Sequence, residues 1–231
     1  MYKLVKRIID IVLSGFAIII LSPLMLILAI LVKIKLGSPP IFKQKRPGKN
    51  MKIYQYHKFR SMTDKKDENG FLLPDDIRLT PFGAKLRSTS LDELPQLFDI
   101  FMGKMSIVGP RPQTIENIMF MSKEQQRRQS VIPGLTGWAQ VNGRNNTTWD
   151  ERVKYDLEYI DNQSFLFDLK IFFMTITKVF NHVDINQECD DINSSTSATF
   201  ETMGDYLLRT NQISEEDYYL KKETILKKYY S

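Results

Sequence analysis

Hydrophobic and polar positions divide this chain unevenly. Ile11 to Val32 passes twenty-two residues without a charge, long enough to cross the hydrocarbon core of a bilayer. Beyond it the apolar positions fall into short periodic runs. Ile41-Phe42 and Ile53-Tyr54-Gln55-Tyr56 predict the strands of a hairpin around Pro47-Gly48. Residues 64–80 read as a polar loop, of the length often used for lids or ligand binding. Thr80-Pro81-Phe82-Gly83 then opens a short helix. Leu91, Leu94, Phe98 and Phe101 recur at helical spacing and predict a helix facing a core. Further helices are expected over 115–129 (polar), over 149–160, and over 164–180 with a broad aromatic face and Ser164 as its N-cap. The last of these suits either a core or the plane of a membrane interface.

Read by hydropathy alone, the apolar run is one transmembrane helix. It is too long for a typical cleavable signal peptide and is followed by no small-x-small site. Ser22-Pro23 lies at its centre, where proline removes a backbone hydrogen bond and kinks a helix. Both flanks are basic, with Lys3, Lys6 and Arg7 before and Lys33 and Lys35 after. Since positive flanks prefer the cytoplasmic side, a re-entrant hairpin that bends at Ser22-Pro23 keeps both ends on one face. The Ser22 hydroxyl is then available to carbonyls freed by the proline.

Charge sharpens this picture. Residues 1–60 carry twelve Lys/Arg against one acid, Asp10, whereas the remainder carries twenty against twenty-six. So local a positive region is expected to meet phosphate groups or an anionic membrane face. No recognisable nucleic-acid motif accompanies it. Cys189 is the only cysteine, which excludes an internal disulfide and suits a reducing, cytosol-facing location.

Candidate chemistry centres on Ser90-Leu91-Asp92-Glu93-Leu94-Pro95. Two adjacent carboxylates at a helix start can hold a divalent metal or attack an electrophile, but Ser90 followed by Glu93 is also a capping box. Lys58 and Arg60 read either as a phosphate site or as a solvated surface against anionic lipid. His57 reads as a surface or packing residue, because no second His or Cys lies at metal spacing. Gly109-Pro110-Arg111-Pro112 is a stiff turn on which Arg111 could clamp a phosphate, or a connector with an exposed arginine. The glycines of Pro133-Gly134-Leu135-Thr136-Gly137-Trp138 and Gly143 allow close backbone approach to a ligand, yet form neither GxGxxG nor a P-loop. Arg144 follows as a further phosphate-binding candidate. Asp156 is read as positioning a hydroxyl or metal-bound water, or as pairing with a nearby cation.

Taken together, these features resemble the small monotopic phosphoglycosyl transferases, the bacterial sugar transferase family of the PglC type. The resemblance rests on Lys6-Arg7 with Asp10, Ser22-Pro23, Lys58-Phe59-Arg60-Ser61-Met62, Arg87 through Gln96, Ser106 through Pro112, Pro133 through Trp138, and Asp156 with Tyr159. It runs over about residues 1–182. The fold class it implies is α+β and mostly helical, with the re-entrant anchor, interfacial amphipathic helices and small β-hairpin elements. The domains expected are an anchor over 1–36, a cytoplasmic-face catalytic domain over 37–185, a polar linker over 186–200, and a helical appendage over 201–231. The appendage is too small to be stable alone, so it should dock or self-associate into a homo-oligomer.

The resemblance implies transfer of a sugar-1-phosphate from a UDP-sugar to polyprenyl (undecaprenyl) phosphate at the bacterial inner membrane. By that similarity Asp92 is the nucleophile and a metal ligand, Glu93 its dyad partner, and Mg²⁺ the cofactor. Lys58, Arg60, Arg87, Arg111, Arg144 and Asp156 are the candidate substrate-binding residues. A hexose-1-phosphate donor of galactose or glucose type, and a catalytically silent membrane scaffold, are the alternatives.

Overall fold

The apolar run forms one helix, α1 (Tyr2–Leu36), with Pro23 inside it. In the computed structural model, which describes residues 2–143, 147–181 and 201–229, helical structure continues through the expected break. The reason is local. Pro23 cannot donate to the carbonyl four residues earlier, that of Ile19, and the Ser22 hydroxyl donates to that same carbonyl at 2.9 Å. The helix therefore loses no satisfied acceptor where water would be absent. Arg144, Cys189 and the linker 186–200 lie outside the described residues.

The rest of the chain packs along α1. Near its start Arg7 donates to the carbonyls of Ile100 (2.7 Å) and Phe101 (2.8 Å). Lys6, Tyr2 and Tyr159 all donate to the buried carboxylate of Asp168. Asp10 accepts from the backbone N–H of Ile107 at 3.0 Å. Midway, Ala17, Ile18 and Leu21 pack against Leu97, Ile100 and Met105. Toward its end Leu28, Val32 and Leu36 join Phe59 and Leu86 in one buried cluster.

The expected hairpin forms as β1 (Ile41–Pro47) and β2 (Ile53–Phe59), antiparallel with Phe42 opposite Lys58. The polar stretch after it is folded by two isolated bridges, Met62 with Leu79 and Lys66 with Leu72, and by a helical turn, α2 (Asp75–Arg78). Helix α3 (Pro81–Ser88) is capped by Thr80, whose hydroxyl accepts from the Gly83 N–H at 3.1 Å.

The acidic pair departs from expectation. Leu91–Glu93 is a 3₁₀ turn, and α4 (Gln96–Phe101) begins only after it, with Pro95 at its N-cap. Ser90 is left-handed (φ 54°) and its side chain caps nothing, so the capping box is absent. Leu91 and Leu94 pack inward as expected, but the turn rotates the face that follows. Leu97 and Ile100 are buried instead, while Phe98 and Phe101 are nearly half exposed beside α1. His57 packs as expected: its backbone N–H (3.1 Å) and Nδ1 (2.9 Å) bind the buried Asp99 of α4.

Strands β3 (Ser106–Val108) and β4 (Gly134–Thr136) pair in parallel. The expected helix over 115–129 splits into α5 (Ile115–Phe120) and a 3₁₀ turn over Gln125–Ser130. The split follows from burial: Ile115, Ile118 and Phe120 are core residues, and Met121 turns extended. Then come α6 (Trp138–Asn142), α7 (Trp149–Asp161) and α8 (Phe165–Asn181), the last exposing Phe165, Leu166 and Phe173. The appendage forms α9 (Met203–Arg209) and α10 (Glu215–Tyr229). It docks on its own chain: Met203, Tyr206, Tyr218 and Ile225 complete a core with α5, Trp149 and Val153. Among the described residues the fold is mostly helical α+β with two small sheets.

Gly134 and Gly137 approach protein backbone rather than a ligand. A Cβ on Gly134 would lie 2.1 Å from the Gly109 nitrogen, and one on Gly137 would lie 2.2 Å from the Gly109 oxygen. Gly134→Ala should therefore spread β3 from β4 and cost about 2–3 kcal/mol. Thermal unfolding of the detergent-solubilised protein checks this, and an unchanged midpoint would contradict it.

Candidate active site

Asp92 sits in its 3₁₀ turn only 6% exposed. Burial, reinforced by the adjacent Glu93 charge, pushes its pKa up to about 6, while Lys58, Arg111 and Arg87 pull it back. The turn thus brings together five sequence-predicted residues: Asp92, Glu93, Lys58, Arg87 and Arg111. Glu93 is held by an ion pair to the Arg111 guanidinium.

Each cation has its own mount. Lys58 projects from β2, where burial and the nearby Arg87 charge pull its pKa down to about 8. Arg87, in the last turn of α3, donates from Nε to the Ser61 hydroxyl at 2.8 Å. Close packing fixes that contact, since a Cβ on Gly83 would lie 1.8 Å from the Ser61 carbonyl oxygen.

Arg111 stands on the stiff turn the sequence predicts, and two guanidiniums hold that turn, Arg128 buried and Arg46 half-buried. Arg128 donates to the Arg111 carbonyl at 2.8 Å, and Arg46 donates to the Pro112 carbonyl. From the β-sheet side, Gly109 donates to Thr136 (2.8 Å) and Gly134 donates to Pro110 (3.0 Å). Arg46 in turn stacks 4.3 Å above the Tyr56 ring, whose hydroxyl accepts from Gln96 at 2.7 Å.

Two predicted residues are placed elsewhere. Asp156 is buried on α7 and accepts from Arg128 at 2.6 and 2.8 Å, so it takes the cation-pairing alternative and reaches the site only through Arg128 and the Arg111 carbonyl. Arg60 pairs with Asp64 at 2.7 Å. Sequence reasoning missed Arg128, Ser61 and the supporting role of Arg46. Nothing in the sequence separates buried Arg128 from its exposed neighbour Arg127.

The donor set limits the metal it could hold. No group of three or more His, Cys, Asp or Glu with ligand geometry occurs among the described residues. Asp92 and Glu93 alone suit Mg²⁺, which takes one or two carboxylates and completes its shell with phosphate and water.

Removing Arg128 alone would leave Asp156 charged and buried without a partner. Arg128→Met should destabilise by about 3–5 kcal/mol, and Arg128→Met with Asp156→Leu should recover most of that loss. Unfolding midpoints of the two variants measure the difference.

Comparison with known proteins identifies the family. A family model described as bacterial sugar transferase matches residues 1–182. The "uncharacterized sugar transferase EpsL" of Bacillus subtilis is 41% identical over 202 residues, covering 87% of this chain and 98% of EpsL. The UDP-glucose:undecaprenyl-phosphate glucose-1-phosphate transferases of Klebsiella pneumoniae and Escherichia coli are each 42% identical, over 76% and 77% of this chain. The aligned region is 40% of each of those two proteins, so this chain spans nearly all of EpsL but about two fifths of the longer relatives. The match takes in α1, the acidic turn and the mounts of Lys58, Arg87 and Arg111: the chain belongs to the bacterial sugar transferase family.

Proposed function

We propose that this protein moves a sugar-1-phosphate from a UDP-sugar to undecaprenyl phosphate in two displacements at Asp92. One observation carries the reading: a buried carboxylate, its pKa raised to about 6, faces three cations on rigid mounts. Relatives named as undecaprenyl-phosphate sugar-phosphate transferases support the same chemistry. Several are named for UDP-glucose, which favours a hexose-1-phosphate as the transferred group.

An Asp92 carboxylate oxygen attacks the phosphorus that bears the sugar, the phosphoanhydride bond breaks, and UMP leaves with its electron pair. The product is an aspartyl phosphosugar. A phosphate oxygen of undecaprenyl phosphate then attacks the same phosphorus and returns the Asp92 carboxylate. Phosphoryl transfer needs in-line positioning and charge neutralisation above all, and covalent catalysis divides the transfer into two easier steps. Lys58, Arg87 and Arg111 hold the diphosphate oxygens. Glu93 keeps Arg111 oriented through their ion pair. Mg²⁺, held by Asp92, would supply further charge neutralisation.

The reading places the site on the cytoplasmic face of the bacterial inner membrane, on a monotopic, re-entrant α1. A helix of 35 residues is about 52 Å long, and one domain touches it at Lys6, at Ile18 and at Leu36. A straight span would carry one of those contacts across the bilayer. Basic flanks at both ends support the same conclusion. In Lys3→Cys and Lys35→Cys variants made on Cys189→Ser, both sites should resist a membrane-impermeant maleimide in intact cells. Labelling of one site only would mean a span.

Asp92→Asn should abolish UMP release and covalent phosphosugar labelling. Retained turnover would refute the mechanism, and no UMP release by the native protein from UDP-glucose, UDP-galactose or UDP-N-acetylgalactosamine would favour the scaffold reading. As pH falls through about 6, Asp92 is protonated and the nucleophile is lost; as pH rises through about 8, Lys58 loses its charge. The kcat/KM profile should therefore be bell-shaped between those values. Glu93→Gln removes a like charge from beside Asp92, so its acid limb should move to lower pH.

A further inference from the structure

A basic cavity lies at the N-terminal end of α1, apart from Asp92. It is lined by Lys3, Lys6, Arg7 and Lys49, with Asp10 and Ser106 among the other walls. Lys49 stands in the turn of the β1–β2 hairpin, five residues of strand and about 17 Å from Lys58. The cavity and the Asp92 centre share no residue.

Its charges are unequally spent. Lys6 is offset by Asp168. Arg7 donates to the neutral carbonyls of Ile100 and Phe101 and pairs with no carboxylate among the described residues. Lys3 and Lys49 are exposed and make no ion pair among the described residues. The one lining carboxylate, Asp10, already accepts from the Ile107 N–H. Positive charge therefore exceeds negative, at the end of a helix whose dipole adds to it. Ser106 is fully buried, and its hydroxyl is without a hydrogen-bond partner in the described structure, a cost that native proteins seldom leave uncompensated.

Beside this cavity, sharing Lys6 and Asp10 with it, runs an apolar groove lined by Ile9, Leu13, Phe165, Leu169 and Phe172. Cavity and groove measure about 70 and 120 Å³, well under the ~300 Å³ and more of a site for a drug-sized ligand. They suit a phosphate and a length of alkyl chain. The groove opens between α1 and α8, both of which expose apolar side chains.

We infer that Lys3, Arg7, Lys49 and the Ser106 hydroxyl bind the phosphate of an anionic membrane lipid whose chain lies in the groove between α1 and α8. A free phosphate would satisfy the cavity and leave the groove unfilled, whereas an amphiphile satisfies both. The site tethers the N-terminal end of α1 to the headgroup layer and takes no part in the transfer.

The full-length Asp92→Asn protein in neutral detergent, with phosphatidylglycerol as probe, tests the inference by native mass spectrometry. Phosphatidylglycerol should remain bound at concentrations where uncharged diacylglycerol is lost. Lys3→Glu with Lys49→Glu, both exposed positions, should reduce retention at least about tenfold without moving the unfolding midpoint of the lipid-free protein. Leu169→Gln should reduce it through the groove. Equal retention of diacylglycerol, displacement by millimolar inorganic phosphate, or wild-type retention in the Lys3/Lys49 variant would each overturn the inference. A photoactivatable phosphatidylglycerol should label Leu13 and Phe172; labelling confined to residues around Asp92 would overturn it too.

Discussion

A carboxylate taken out of water tends to gain a proton. The attack proposed for Asp92 needs that proton kept off, and the charges around its turn bear on the balance. Desolvation lifts Asp92, Glu93 lifts it further, and Lys58, Arg111 and Arg87 restrain the rise. The balance leaves an acid that is ionised at neutral pH yet poorly hydrated, and so more reactive than a solvated carboxylate. The restraint works only if the cations cannot swing away. Hence the cost accepted around Arg111: one guanidinium is buried and another half-buried to hold its turn, and the buried one, Arg128, needs Asp156 buried beside it.

The cations also burden one another. Lys58 is depressed by Arg87, Arg46 and Arg111 as well as by burial, and Arg46 is lowered by burial and by Arg111. Like charges are thus gathered ahead of the anion that would relieve them. A diphosphate entering this region would meet a pre-assembled field and would require little reorganisation of the protein, which is how fixed charges serve best.

Much of this was legible in the sequence. Short periodic runs gave the hairpin and α7 because their side chains obey local spacing. Ser22-Pro23 was legible because a proline's missing donor and a serine's hydroxyl act within one turn. The acidic pair stands out in the sequence, yet its setting does not: a left-handed Ser90 and a 3₁₀ turn accompany the tertiary packing of Leu91 and Leu94, and they override the capping preference of Ser90 with Glu93. The same limit hid Arg128. Its partner lies 28 positions away, and a long-range ion pair leaves no periodic trace. The glycines at 134 and 137 suggest close approach of a ligand, but what approaches is Gly109, which only the parallel pairing of β3 with β4 reveals.

Leu28, Val32 and Leu36 share a buried cluster with Phe59 and Leu86, and Ile18 and Leu21 pack against Leu97 and Ile100. Helix α1 is therefore part of the wall behind the acidic turn, and not a tether from which a self-sufficient head hangs. Cutting the chain after Leu36 would strip the inner lining from the hairpin and from α4, opening sticky surface next to Asp92. An enzyme built this way cannot be made water-soluble by trimming, because the apolar helix that would be removed is itself part of the wall behind the acidic turn.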